Sequence, residues 1–395
     1  MNRKISLSLT ISLMALTAAV TFILTLSYSR AQFNSKVREV DRLAEKYQRL
    51  EELDRIVEQE YYTEVPQEDV LEGMLAGYVS GLGDRYSAYR SAEEYTDYQE
   101  SNQGVYTGIG ITVKRVPDAP AEITAVTPGG TADSSGIRAG DQLVAVNGVS
   151  AASHYEEAIR EISGEIGKFV TVTVLRAETG TERNYNIQLA QIEEQTVEYS
   201  MKDHRIGYIR ITKFRSVTVS QFENALQDLV SRGAEGIVFD VRDNGGGVLS
   251  ALEAMVDPIL PEGELAFAYN KDGSSETIIR SDAKSMELPF AVLVNGSSAS
   301  ASELFACLMR DYAGAFLVGE KTFGKGIMQT TFNLSEGGVT LTTATYATGK
   351  TPCYHGVGLE PDILSVPDPD SEEDTQLQDA LDALYSNIKA ADDAA

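Results

Sequence analysis

The stretch "PFAVLVNGSSASASELFACLMRDY" (residues 289–312) changes character twice. It begins as a continuous apolar run, the pattern of a strand covered on both faces. Asn295-Gly296 reads as a turn, four serines crowd the next six positions (Ser297, Ser298, Ser300, Ser302), and a helical pattern follows. Serine-rich runs are ordinarily flexible linkers, but this one lies between a buried strand and a helix. Ser300 and Glu303 fit the S-x-x-E capping signature. Two readings stay open at this level. Ser300 caps the helix and does nothing more, or a serine at this junction is a nucleophile beside helix N–H groups and the positive end of the macrodipole.

The neighbouring segments repeat the pattern. "FDVRDNGGGVLSAL" (residues 239–252) is a strand, a glycine turn and a helix start. Glycines there let the backbone approach a ligand and aim N–H groups at negative charge, either a phosphate or an oxyanion. Val248-Leu249 stand where a phosphate-binding P-loop would carry Lys and Ser or Thr. "GEKTFGKGIMQT" (residues 319–330) offers Lys321 and Lys325, the latter between two glycines. A lysine can act as a base where burial keeps it neutral, since desolvation lowers its pKa by as much as ~3–5 units. His355 is the only histidine in this half of the domain's sequence. From residue 205 strands alternate with helices ("RIGYIRI", "GIVFDV", "FAVLV", "AFLVGE", then "GVTLTTATY"), which predicts a sheet covered by helices.

Upstream the character is β-rich. "GIGITV" (108–113), "AEITAV" (121–126), "DQLVAVNG" (141–148) and "FVTVTVLR" (169–176) read as strands, with a helical patch over 154–162. Before them, Phe33, Val37, Val40, Ala44 and Tyr47 mark a helix over 33–62. A second helix is expected over 67–81, and "GLGDRYSAY" (81–89) turns the chain. Residues 5–29 are uncharged and long enough to span a bilayer. Arg3 and Lys4 ahead of them predict a cytoplasmic N-terminus and an exported remainder. The length of the run favours an uncleaved anchor over a cleaved signal peptide. The tail from Asp368 is acidic and then helical, by default a solvated helix.

A net charge of −26 argues against non-specific nucleic-acid binding. Two cysteines and three scattered histidines disfavour a structural zinc site, and no metal or organic cofactor is expected. Cys307 and Cys353 could pair in an oxidising compartment, but spacing alone does not give their distance.

"GIGI" and "SGIRAGDQLVAVNG" resemble a PDZ domain. That resemblance implies a groove where a peptide C-terminus adds a strand to a sheet edge. Gly108, Ile109, Gly110, Ile111 and Arg138 are its peptide-binding candidates. "DVRDNGGG", "NGSSASASE" and "GEKTFGKGIMQT", in that order, resemble the carboxyl-terminal-processing (tail-specific) serine proteases. The likeness extends to "GMLAGYVSGLGDRYSAY", "IGYIRITKF" and "TYATGKTPCYHGVGLEPDI". It implies Ser300 as nucleophile, Lys325 as general base and Gln329 as its assistant. It also implies an oxyanion hole from Ala301 and a glycine N–H, Gly246 or alternatively Gly245. "TYATGKTPCYHG" departs from the family's usual T-P-S-G-R run, which puts substrate fit near Cys353 in question.

The expected fold is multidomain α/β: an anchor or signal (1–30), a helical segment (31–103), a PDZ domain (104–192), a protease core (193–367) and an acidic helical tail (368–395). The expected function is cleavage of protein substrates near their C-termini, with the PDZ domain capturing the tail or gating the site. The resemblance further implies substrates with apolar tails, self-association through the terminal helices and an activating partner. The location would be a single-pass cell-membrane position with an extracytoplasmic catalytic domain, or secretion if the N-terminal segment is cleaved. The rival reading is a non-catalytic, membrane-anchored PDZ scaffold or sensor.

Overall fold

The computed structural model describes residues 7–282, 285–368, 371 and 373–394. The chain divides into two units, residues 1–75 and 76–395. In the first, the apolar run and the amphipathic stretch form one continuous helix, Leu7–Glu60. Its segment Leu9–Asn34, of 26 residues with mean hydropathy 2.2, is long and apolar enough to cross a membrane. At 1.5 Å per residue it spans about 39 Å, against a hydrocarbon core of about 30 Å. Helix Gln67–Ser80 follows Pro66 and carries Glu68 and Asp69 in its first turn, where they complement the helix dipole.

The second unit opens with strand Ala88–Arg90 and helix Ala92–Gln103. A five-strand antiparallel path follows: Ile111–Lys114, Ala121–Val126, Gln142–Val146, Phe169–Arg176 and Thr181–Gln188. Helix Tyr155–Glu161 accompanies it, and Ile109, Ile123, Ile137, Leu143 and Val172 fill its core. The single strand expected over 108–113 is broken. Strand Val105–Gly108 pairs with Ala190–Glu193, and Ile111 opens the first strand of the other sheet. Gly110, at φ 78°, supplies the left-handed turn that separates them.

Six strands form the main sheet, in the order Val197–Met201, Ile206–Ile211, Gly236–Asp240, Phe290–Val294, Phe316–Gly319, Ile363–Leu364. The first pair is antiparallel and the rest parallel. Side chains alternate between the two faces of each strand. Ile237, Phe239, Phe290 and Val292 pack with helices Ser216–Ser231, Leu249–Val256 and Ala301–Ala313. Val238, Ala291 and Leu293 pack with helix Thr375–Ala394. Burial on both faces explains why these strands read as unbroken apolar runs. It also corrects the default reading of the tail: Ala380 and Leu384 are fully buried on the sheet, so the helix is solvated on only one side. A second sheet joins Ala88–Arg90, Gly338–Thr348, Gly263–Asn270 and Ser275–Ser281, with Ile327–Asn333 also paired to Gly338–Thr348.

Candidate active site

Three adjacent parallel strands end on one side of the main sheet, and each delivers one chemical piece. The glycine turn follows Gly236–Asp240, the serine run follows Phe290–Val294, and the Lys325 loop follows Phe316–Gly319. Open α/β sheets bind ligands beyond the carboxyl ends of their strands for this topological reason.

The serine run resolves into distinct roles. Ser298 is buried, and its Oγ donates to Val241 O at 2.8 Å and accepts from Asn295 N at 3.0 Å. Asn295 and Asp243 exchange hydrogen bonds of 3.0 and 2.9 Å, and Ala299 N donates to Asn244 O, so the run is stitched to the glycine turn. Ser297 is exposed, and Ser302 is buried in the helix. Ser300 sits at φ 58°, ψ −118°, a conformation that costs a non-glycine residue roughly 1–3 kcal/mol. Strain at a serine on a strand-to-helix turn is the geometry that exposes a nucleophile's Oγ.

Glu303 does more than complete a cap. It is fully buried, and its carboxylate accepts four hydrogen bonds, from Ser300 N (2.9 Å), Thr322 Oγ1 (2.6 Å), Gly324 N (2.7 Å) and Lys325 N (2.7 Å). One side chain therefore fixes the backbone of both Ser300 and Lys325. Tyr346, also buried, donates from its hydroxyl to Lys325 O at 2.7 Å.

Ser300, Ala301, Gly245, Lys325 and Gln329 line one cavity of about 380 Å³, with Tyr98 and Asn102 of helix Ala92–Gln103 on its wall. Val248, Leu249, Leu304, Ile327 and Met328 give it an apolar surface. Burial lowers the Lys325 ammonium below its ordinary value of 10.5. The charges of Asp84, Tyr98 and Glu303 oppose that shift, and Arg85 reinforces it. The Gln329 amide donates to Thr342 Oγ1 at 3.2 Å across the hairpin. The His355 backbone packs beside Gly326, and Cys353 Sγ donates to Gly326 O at 3.4 Å. Cys353 and Cys307 are both free thiols, the first exposed and the second buried.

Gly246 packs so closely that a Cβ there would lie 2.9 Å from Ser300 Cβ and from Ala301 N. Its own N–H is engaged by Asn244 Oδ1 at 2.9 Å, and the Asn244 amide in turn donates to Ile211 O. Gly245 N makes no hydrogen bond among the described residues and borders the cavity. Ala301 begins the helix, so its N–H has no partner within it.

The PDZ-type candidates divide. Gly108, Ile109, Gly110 and Ile111 form one loop, with Ile109 O accepting from Ala132 N at 2.9 Å and Gly110 O from Thr127 N at 2.8 Å. Strand Ile111–Lys114 is an edge of its sheet and has an open side for strand addition. Arg138 lies in the turn before Gln142–Val146. Its backbone N donates to Asp141 Oδ2 at 2.9 Å, and its side chain is exposed, with no hydrogen bond or ion pair to the loop among the described residues.

Pattern reading overlooked Glu303 as a hub, and Tyr98 and Asn102 entirely. A signal for the latter was present. Ser91 and Glu94 form a capping box, with bonds of 3.0 and 3.3 Å, and announce the helix that carries both residues. Tyr346 carried no local signal, because its place depends on long-range strand pairing.

Residues 205–365 match peptidase family S41, residues 101–175 the PDZ domain, and residues 13–94 the N-terminal domain of the activating protease CtpB. The carboxyl-terminal-processing protease of Synechocystis sp. is 31% identical over 323 residues, covering 78% of this chain and 76% of that protein. The carboxy-terminal processing protease CtpA of Bacillus subtilis is 31% identical over 323 residues, covering 80% of this chain and 68% of its own length. A solved Bacteroides fragilis structure assigned to S41, 17% identical, covers 84% of this chain and 96% of its own with a TM-score of 0.50, a likeness of fold. This chain belongs to the carboxyl-terminal-processing serine peptidases of family S41. It is a protease with a PDZ domain that acts on protein substrates, and the reading as a non-catalytic scaffold is set aside.

Proposed function

We propose that Ser300 is the nucleophile and Lys325 the general base of this peptidase. The observation that carries the proposal is the shared cavity, in which a serine on a strained turn and a partly buried lysine meet apolar walls. Neutral Lys325 takes the Ser300 proton as Oγ attacks the scissile carbonyl, and the leaving amine departs with a proton from the lysine. Water then hydrolyses the acyl-enzyme. Ala301 N–H and a glycine N–H stabilise the oxyanion. Gly245 suits the second position better than Gly246, whose N–H is committed to Asn244. Gln329 orients the hairpin wall, and its amide can turn from Thr342 toward the lysine when substrate enters.

The segment Leu9–Asn34 would serve as an anchor, with the catalytic unit on the extracytoplasmic side. The loop over residues 108–111 and the strand edge beside it would take an apolar C-terminal tail, so that the PDZ domain delivers substrate or gates the cavity. Arg138 stays a candidate for the charged flank of that groove. Domain divisions at 30, 103, 192 and 367, self-association and an activating partner belong to the same proposal.

The test is incubation of the chain with an unstructured protein, alongside Ser300→Ala and Lys325→Ala, with fragments read by mass. The wild type should trim the C-terminus, and each variant should lose about 10³-fold or more in rate. Equal fragments from all three would overturn the assignment.

A further inference from the structure

The segment "GDRYSAY" reads in sequence only as a turn, yet residues 84–87 reach the base. Ser87 Oγ accepts from Thr342 N at 3.1 Å, and Ala88–Arg90 pairs with Gly338–Thr348, which also pairs with the strand following Lys325. This pairing puts the Tyr86 ring 4.5 Å from Lys325 Nζ. We propose that Tyr86 is a positioning residue for the reaction, its ring face being the seat that holds the Lys325 amine in the cavity.

An aromatic face suits this task better than a carboxylate. A lysine carries four flexible carbons and must be held for efficient proton transfer. A direct ion pair would hold it but would also fix its proton, because an opposite charge stabilises the ammonium. The ring attracts the ammonium more weakly and offers the neutral amine no competing acceptor. The nearest loop carboxylate, Asp84, is occupied locally, accepting from Tyr86 N at 3.0 Å and Ser87 Oγ at 2.6 Å. No salt bridge to Lys325 exists among the described residues. Arg85 reaches the same ring, with Cζ 4.7 Å from its centroid and Nη2 donating to Tyr86 OH at 2.5 Å. The charged or titratable groups whose fields reach Lys325 are thus Asp84 and Arg85 from this segment, Tyr98 from helix Ala92–Gln103 and Glu303 from helix Ala301–Ala313.

The inference rests on Lys325 being the base, and the experiment separates the two. A fluorophosphonate is reacted with the full-length chain in detergent across a pH series, and the rate of Ser300 phosphonylation is followed by intact mass. Tyr86→Phe keeps the ring and should stay within about threefold of wild type at an unchanged midpoint. Tyr86→Leu keeps the apolar bulk but loses the ring's hold on the charged form. Its midpoint should fall by about half a unit to one unit, and its plateau rate by about tenfold. A leucine profile that superposes on wild type, or equal shifts in both variants, overturns the role of Tyr86 while leaving Lys325 in place. Full reactivity of Lys325→Ala defeats the base assignment itself. An independent readout uses unsubstituted protein: the Lys325 ε-methylene protons, identified against Lys325→Arg, should resonate upfield under the ring current. Their appearance at ordinary lysine positions overturns the seat even if the leucine variant fails to fold.

Discussion

At the scale of single residues, Glu303 joins the two halves of the chemistry. Oε1 accepts from Thr322 Oγ1 and Gly324 N, and Oε2 from Ser300 N and Lys325 N. Glu303→Gln would set an NH₂ group against two of these buried donors. Leaving them unsatisfied should cost roughly 2–5 kcal/mol of stability. Displacing Ser300 and Lys325 by a fraction of an ångström to about 1 Å should lower kcat/KM by about 10². Thermal melting and steady-state cleavage check both effects. A variant with wild-type activity would show that the carboxylate does not set the geometry. The S-x-x-E pattern made the cap legible in sequence, but nothing local said that the same carboxylate also holds a loop 20 or so residues on.

At the scale of elements, the strand–turn–helix units were legible because both faces of the main sheet are covered and their strands read as pure apolar runs. The second sheet was less so. Strands Ile327–Asn333 and Ser275–Ser281 mix polar and apolar residues, and their pairing is decided by distant partners. The tail helix was recognised, but its docking was not, because Ala380 and Leu384 meet sheet residues far away in sequence, and an ionic cluster at the helix start adds to that apolar contact. Arg242, next to the glycine turn, bonds Asp240 at 2.6 Å and Asp374 at 2.7 and 2.9 Å, and Gln376 at 3.0 Å. The hydrogen bonds from Arg242 lower the Asp374 carboxyl below its ordinary 3.8. A depressed carboxylate contributes stability that is present above its unfolded value, near 4, and is lost as pH falls through the folded value. Asp374 is partly exposed, so the contribution is discounted to about 1 kcal/mol. Asp374→Asn should therefore lower Tm by about 2 °C at pH 6, with the difference shrinking as pH falls below the ordinary 3.8. A difference that persists unchanged in acid would contradict the ion-pair account.

At the scale of the whole molecule, the second unit brings together groups from distant parts of the sequence. Tyr98 and Asn102 come from the helix that leads into the PDZ-type sheet, and both line the cavity with Ser300 and Lys325. At that helix's end Gly104 packs against Arg215 and Val217, where a Cβ would lie within 2.9 Å of both. Arg215 also donates to Asn102 Oδ1 at 3.1 Å, so this contact adjoins the cavity wall. The order of motifs in sequence disclosed the parts, while their convergence required the parallel register of three strands.

The central claim is that a partly buried lysine, not a histidine, activates Ser300. The direct measurement is the pH dependence of kcat/KM for a C-terminal peptide substrate, in wild type and in His355→Ala. Neutral lysine is the active form and burial lowers its pKa, so activity should rise through a midpoint below 10.5 and persist in the histidine variant. A limb near pH 6.5 that disappears with His355 would contradict the claim.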